Sequence, residues 1–187
     1  MGVAEVPSLM SASVDVARGQ VGVREDPLNS NEGPQVDAYL RSVGMAPGLA
    51  WCAAFCYWCI REAWWWDHFG QDPPFIRTAW TPSIWSWAQG QGLEYWASPT
   101  DVHLGREVPD GALFLLHGSV EGVRRVNHVG FVAHLDVQRA TIGTVEGNTN
   151  PAGSREGGGV YERERPLQDV YRFVMYGAGA TGQQGAF

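Results

Sequence analysis

The sequence is poor in positive charge. Lys and Arg together number 13 against 20 Asp and Glu, so the formal net charge is −7 at neutral pH. Nucleic-acid binding depends on clustered basic side chains that contact phosphates. We therefore expect no nucleic-acid partner, and the charge offers no attraction to anionic cell surfaces.

Long apolar runs are missing as well. No segment approaches the roughly 20 apolar residues of a membrane helix, which predicts no membrane insertion. The first residues include Glu5, carry no Lys or Arg before Arg18 and lack the apolar stretch of a signal peptide. We expect synthesis in the cytoplasm without a signal peptide, so action on a cell wall would require delivery or lysis.

Cysteine is scarce and confined to one short segment, at Cys52, Cys56 and Cys59. An odd number of cysteines along one predicted helix does not suit a disulfide framework, so we expect reduced thiols. The spacing is also that of the cysteines holding a 4Fe–4S cluster in radical-SAM enzymes. An iron–sulfur or zinc-binding protein is therefore an alternative, disfavoured because the chain is short and its predicted helices precede its strands.

The remaining composition is that of a folded domain. With 187 residues, 44% hydrophobic residues and nine Trp, the chain fits one domain with a substantial core. We place this core at residues 10–176 and expect a flexible tail at 177–187.

The order of predicted elements indicates the fold class. Apolar spacing predicts helices at 8–21, capped by Ser11 or Ser13, at 34–43 and, almost uniformly apolar, at 51–67. Four Pro make residues 68–108 irregular, with a short helix at 84–89. Strands are predicted at 113–116, 126–135, 141–146, 160–165 and 170–176. Helices followed by strands predict an α+β domain with an antiparallel sheet.

Three positions in these elements suggest thiol chemistry. Cys52 lies at the predicted start of the apolar helix, where the helix field favours a thiolate. His128 opens a strand and shares its predicted face with His134, while Glu146 and Asn148 end the next strand. A nucleophile, a base and a group orienting the base form a hydrolytic site. Each alone has a plainer explanation, and Cys56 and Cys59 are assigned to packing.

Five segments resemble one family: NEGPQVDAYL (31–40), WCAAFCYWC (51–59), DGALF (110–114), NHVGF (127–131) and EGN (146–148). Their order resembles the CHAP domain family of cysteine- and histidine-dependent amidohydrolases and peptidases, which is related to the NlpC/P60 peptidases. The resemblance covers about residues 10–176. It implies a papain-like fold, with N-terminal helices packed on an antiparallel sheet, as a single catalytic domain.

The resemblance also implies roles and a substrate. Cys52 would be the nucleophile, His128 the base and Glu146 the group orienting the imidazole, with Asn148 supporting the site or the oxyanion. The backbone N–H of Cys52 would be one oxyanion donor. The substrate would be a peptidoglycan stem peptide, cut by an N-acetylmuramoyl-L-alanine amidase or an endopeptidase. No cofactor is expected, and the calcium-binding aspartates of some members have no counterpart at residues 41–51.

Substrate contacts are expected from Trp51, Asn127, Trp80 and Trp85, since aromatic faces stack on sugars, whereas most of the Trp64–Trp66 run should pack inside. The protein would act as an interbacterial effector or a phage lysin. An effector requires secretion machinery and an immunity protein, and the acidic, compact form favours it. The alternative function is that of a non-catalytic cell-wall-binding module.

Overall fold

The computed structural model describes residues 8–120, 122–152 and 157–177 of the chain. Its helices are α1 (Leu9–Arg18), α2 (Pro34–Ser42), α3 (Cys52–Trp65), α4 (Thr81–Gln91) and α5 (Pro99–His103). Its strands are β1 (Trp96–Ala97), β2 (Leu113–Val120), β3 (Val123–Asp136), β4 (Thr141–Thr149), β5 (Gly159–Pro166) and β6 (Arg172–Val174). A flexible tail was expected at 177–187, and all of it after Gly177 lies outside the described residues.

The strands form one antiparallel sheet in the order β1-β6-β2-β3-β4-β5. Helix α3 packs against β3 and β4, with the rings of Phe55 and Phe131 in edge contact at 6.1 Å, and α1 and α2 pack against α3. The predicted α+β class and antiparallel sheet are confirmed. None of the helices in the described ranges is long and apolar enough to cross a membrane.

Helix α1 begins one residue later than predicted and ends at Arg18. Its cap is Ser8, whose hydroxyl accepts from the N–H of Ser11 at 3.2 Å. The prediction of Ser11 or Ser13 as the cap was wrong, because both lie inside the helix and Ser13 donates to the carbonyl of Leu9. Helix α2 matches its prediction, with Pro34 in the first turn.

Helix α3 carries the central part of the core. Cys56 and Cys59 are fully buried, and all other residues from Cys52 to Ile60 except Trp58 are also buried. The expectation that most of the triple-Trp run packs inside was wrong. Trp65 is 45% and Trp66 76% exposed, and they are the last residue and the C-cap of α3.

The irregular region predicted at 68–108 contains two α-helices, a short strand and a 3-10 turn at Leu93–Tyr95. Helix α4 is longer than the predicted 84–89 because Pro82 lies in its first turn, where the missing N–H costs nothing. Helix α5 starts at Pro99 behind a capping box formed by Ser98 and Asp101. Strand β1 has only two residues and shows no alternation that would reveal it.

A bulge in β3 changes the predicted face of one histidine. Val132 pairs with Thr144, but His134 pairs with Gly143, so Ala133 is an extra residue in β3. Since neighbouring residues of β4 face opposite sides of the sheet, Val132 and His134 do so too. The prediction that His134 shares a face with His128 was therefore wrong.

Candidate active site

The first residue of α3 is Cys52, and its position is fixed by contacts of Trp51. The N–H of Trp51 donates to Oδ1 of Asn148 at 3.0 Å, and its indole N–H donates to Glu25 at 2.8 Å. Its ring also stacks on Tyr39 with centroids 5.5 Å apart. Because Trp51 is fully buried and held on three sides, the thiol that follows it starts from a rigid backbone.

The start of α3 is electrostatically suited to negative charge. No side chain caps this end of the helix. The first N–H groups of any helix have no acceptor within the helix and carry the positive end of its dipole. Cys52, which is 5% exposed, is the first residue of α3, so these groups are placed to stabilise an oxyanion formed there.

The imidazole of His128 reaches the site from β3, opposite Leu116 of β2. Its Nε2 lies 2.9 Å from Oε2 of Glu146. Its Nδ1 is buried and makes no hydrogen bond with any of the described residues. One ring nitrogen is thus held by the carboxylate, and the other remains available to the thiol of Cys52.

Two neighbouring groups, Cys52 and Glu146, act on the pKa of His128. Burial alone would lower the pKa of His128, but its interactions with Cys52 and Glu146 outweigh burial and raise the pKa to about 9. Nδ1 makes no hydrogen bond with the thiol here, and catalytic hydrogen bonds often tighten only when substrate binds. The site therefore favours a protonated imidazole beside the sulfur.

The carboxylate of Glu146 is fully buried in β4. Arg165 binds it with two hydrogen bonds of 2.6 Å, from Nε to Oε1 and from Nη2 to Oε2, and the Thr144 hydroxyl donates to Oε1 at 2.6 Å. Burial would raise the pKa of Glu146, yet the hydrogen bonds and charges of Arg165 and His128 hold it well below its usual range. Glu146 is thus an ionised acceptor for the imidazole.

Asn148 ties three segments together behind Cys52. It has a positive φ of 57°, its Oδ1 accepts from Trp51, and its amide donates to Asn31 Oδ1 at 3.1 Å and to the Gly157 carbonyl at 3.4 Å. Both functions of its side chain are therefore used within the protein. This arrangement fits support of the site and leaves no amide hydrogen directed at a substrate.

The four expected substrate contacts occupy different surroundings. Trp51 offers no exposed surface, whereas Trp80 is 50% exposed with the guanidinium of Arg125 over its ring at 4.4 Å. Thr81, next to Trp80, donates to the carbonyl of Val126, which brings Trp80 close to the start of β3.

The other two are less available. Asn127 is half-buried at a bulge of β3, with its amide over Gly118. Trp85 is half-buried in edge contact with Trp96 and Tyr171. Of the four, Trp80 is the one with a large exposed ring.

Sequence reasoning missed Arg165 and Thr144, which hold Glu146. A signal was present in β5, where the order Glu162, Arg163, Glu164, Arg165 places both arginines on one face of the strand and both glutamates on the other. The glutamates are exposed and Arg165 is buried. A strand with alternating charge sign indicates two different environments, but the sequence does not tell which one is buried.

The three cysteines do not form a metal site. Among the described residues, no group of three or more His, Cys, Asp and Glu side chains is arranged to hold a metal ion. Cys56 and Cys59 point into the core, where burial raises their pKa well above the usual range. This arrangement removes support for the iron–sulfur and zinc alternatives.

Comparison with known proteins gives one match. The family model described as the CHAP domain matches residues 44–148 of this chain, a segment that contains the thiol, the imidazole, the carboxylate and Asn148. Arg165 lies outside the matched segment. No curated protein and no solved structure matches the chain.

Proposed function

The chain belongs to the CHAP domain family of cysteine- and histidine-dependent amidohydrolases and peptidases, and we propose that it hydrolyses amide bonds of peptidoglycan with Cys52 as nucleophile and His128 as base. Glu146 orients the imidazole, and Asn148 supports the turn before the nucleophile. The observation that carries this proposal is the His128–Glu146 hydrogen bond of 2.9 Å, with the second imidazole nitrogen left to the thiol.

The first half of the reaction forms an acyl-enzyme. The sulfur of Cys52, having given its proton to His128, attacks the carbonyl carbon of the scissile amide, and the carbonyl oxygen becomes an oxyanion. N–H groups at the start of α3, that of Cys52 first among them, stabilise this charge. His128 then donates its proton to the departing nitrogen, so the C–N bond breaks and an amine leaves.

The second half releases the acid. Water gives a proton to the now neutral His128 and attacks the thioester carbon, which passes through a second oxyanion. Collapse of this intermediate breaks the C–S bond, and the product leaves as a carboxylic acid. The sulfur of Cys52 and the imidazole of His128 return to their resting state, while Glu146 keeps the same ring nitrogen throughout.

Paired variants test the two catalytic assignments. Cys52→Ala and His128→Ala should fold normally and lose clearing of purified peptidoglycan by at least about 1000-fold, because the nucleophile and its base act as a unit. Cys56→Ala, one helical turn further, and His134→Ala, on the other face of β3, are the matched controls and should retain activity. Full activity in either catalytic variant would refute its assignment.

The bond that is cut follows from the products. Amidase cleavage leaves a free N-terminal L-alanine, whereas endopeptidase cleavage shortens the stems or opens the cross-links. Mass spectrometry of muropeptides after digestion distinguishes the two, and the Cys52→Ala protein supplies the blank. We propose the amide bonds of the stem peptide as the substrate, in either position.

For delivery, we propose an interbacterial effector, with a phage lysin as the second candidate. The supporting observation is the net charge of −7, which gives a freely released enzyme no attraction to an anionic wall. An effector should be toxic when directed to the periplasm and should be neutralised by a protein encoded beside it. Toxicity that no neighbouring gene product relieves would favour the lysin.

A further inference from the structure

A buried arginine lies directly behind the carboxylate of the site. Arg165 is 8% exposed, and its guanidinium forms a two-pronged pair with Glu146, each prong at 2.6 Å. The family match ends at residue 148, so β5, which carries Arg165, lies outside it. The role of this arginine is therefore not given by the family assignment.

We propose that Arg165 is a positioning residue for the thiol reaction. It holds Glu146 in place and supplies the positive charge that balances the buried site when Cys52 is ionised. This inference rests on the proposed function only in naming Cys52 as the reactive thiol. Arg165 touches neither the thiol nor the imidazole, and it acts through Glu146.

The first argument is geometric. Glu146 receives hydrogen bonds from Arg165 on both oxygens, from Thr144 on Oε1 and from His128 on Oε2. A planar guanidinium pairing with both oxygens fixes the plane of the carboxylate as well as its position. The direction in which Oε2 meets the imidazole is thereby fixed, and with it the direction of Nδ1.

The second argument is the charge balance of the buried site. Arg165 and a protonated His128 carry two positive charges, and Glu146 and an ionised Cys52 carry two negative charges, so the set is neutral. Without Arg165, an ionised thiol would leave a net negative charge in a buried environment, which is costly. The set would then become neutral by keeping the proton on sulfur, which is the unreactive form.

Other charged groups around the site do not replace Arg165. Arg163 is the second arginine on this face of β5 and its charge also acts on Glu146, but its guanidinium donates to the carbonyl of Asn150 instead of to the carboxylate. On the α3 side, Cys56 is near enough to interact with Glu146 and remains neutral, because burial raises its pKa. Besides the imidazole of His128, Arg165 is thus the cationic side chain in hydrogen-bond contact with this carboxylate among the described residues.

Stability alone does not account for the pair. A buried ion pair stabilises a fold no better than apolar side chains of similar volume, because both charges lose their hydration. A buried arginine beside a catalytic carboxylate is better explained by its effect on the charges of the site.

Alkylation of Cys52 measures this effect without any substrate. The rate of reaction with iodoacetamide, followed by intact mass between pH 5 and 10, reports the reactive thiolate. Cys56 and Cys59 do not compete in the folded protein, because they are fully buried and their pKa is raised. The readout therefore stands even if the peptidoglycan assignment fails.

Arg165→Met keeps much of the volume and removes the charge. Its alkylation midpoint should move upward by one pH unit or more, with an alkylation rate at pH 7 about tenfold lower. Arg165→Lys should recover part of this loss, and Arg163→Met should shift the midpoint far less. In peptidoglycan clearing, Arg165→Met should lower kcat about tenfold or more with little change in KM.

A folded Arg165→Met with the wild-type alkylation midpoint would overturn the proposal. If Arg165→Met does not fold, Arg165→Gln decides the question, because it keeps a hydrogen-bond donor and lacks the charge. An upward shift in Arg165→Gln supports the proposal, and wild-type behaviour overturns it. An error in the proposed function would appear separately, because the Cys52→Ala variant would then still clear peptidoglycan fully.

Discussion

At the scale of single residues, the site depends on side chains that hold other side chains. Cys52, His128 and Glu146 could be chosen from the sequence because their residue types and their positions at element ends suit thiol chemistry. Arg165 could not, since an arginine in a strand is usually exposed and nothing local marks the buried one. Its partner, Glu146, lies on the neighbouring strand β4, 19 positions earlier in the chain.

Asn148 provides a prediction at this scale. Asn148→Ala should lower the free energy of unfolding by about 1–3 kcal/mol, because the N–H of Trp51 would be buried without its acceptor. Alanine also adopts the positive φ of this position less readily than asparagine. Urea unfolding measures the stability, and iodoacetamide measures the reactivity of Cys52.

Asn148→Asp is the informative control, since it keeps an oxygen for Trp51 and loses the donors to Asn31 and Gly157. It should retain more Cys52 reactivity than Asn148→Ala. Equal Cys52 reactivity in the two variants would show that the hydrogen bond from Trp51 to residue 148 does not control this reactivity.

At the scale of elements, hydrophobic periodicity predicted the long helices and strands and also β6, but it missed α5 and β1. Helix α3 and strands β2 to β5 have enough apolar residues in pattern to be predicted. Helix α5 and strand β1 have too few, and their positions depend on pairing with β6 and on the Ser98 capping box. The bulge at Ala133 also leaves no trace in the sequence, although it moves His134 away from the face of His128.

Gly111, which precedes β2, allows a prediction about element packing. A Cβ at this position would lie 1.8 Å from the carbonyl oxygen of Met10 in α1, and the φ of +86° already disfavours a side chain. Gly111→Ala should therefore lower the free energy of unfolding by about 3 kcal/mol or more. Thermal or urea unfolding provides the measurement.

Gly105→Ala is the matched control for this effect. Gly105 has a similar φ of +95°, but apart from its chain neighbours no atom lies within 4 Å of the place that a Cβ would take. Only the backbone cost of about 1–2 kcal/mol should appear there. Equal losses in the two variants would mean that contact with α1 does not limit the position of Gly111.

At the scale of the whole molecule, the same charges that serve the site tie its stability to pH. His128 has a raised pKa, about 9 against 6.5 in the unfolded chain, so its contribution is complete below pH 6.5 and is lost as the pH rises toward 9. Glu146 has a lowered pKa, so its contribution is complete above pH 4.5 and is lost as the pH falls below that value. The free energy of unfolding should therefore fall as the pH rises above 6.5 and as it drops below 4.5.

The alkaline loss can be assigned to the site by one substitution. Cys52 is among the groups that raise the pKa of His128, so Cys52→Ala should flatten the fall in unfolding free energy between pH 6.5 and 9. The full effect of His128 is roughly 3 kcal/mol at most. The buried thiols Cys56 and Cys59 are common to both proteins and act mainly above pH 9. Urea unfolding at half-unit pH steps gives the two curves, and parallel curves over this range would show that the thiol and the imidazole are not coupled in the folded protein.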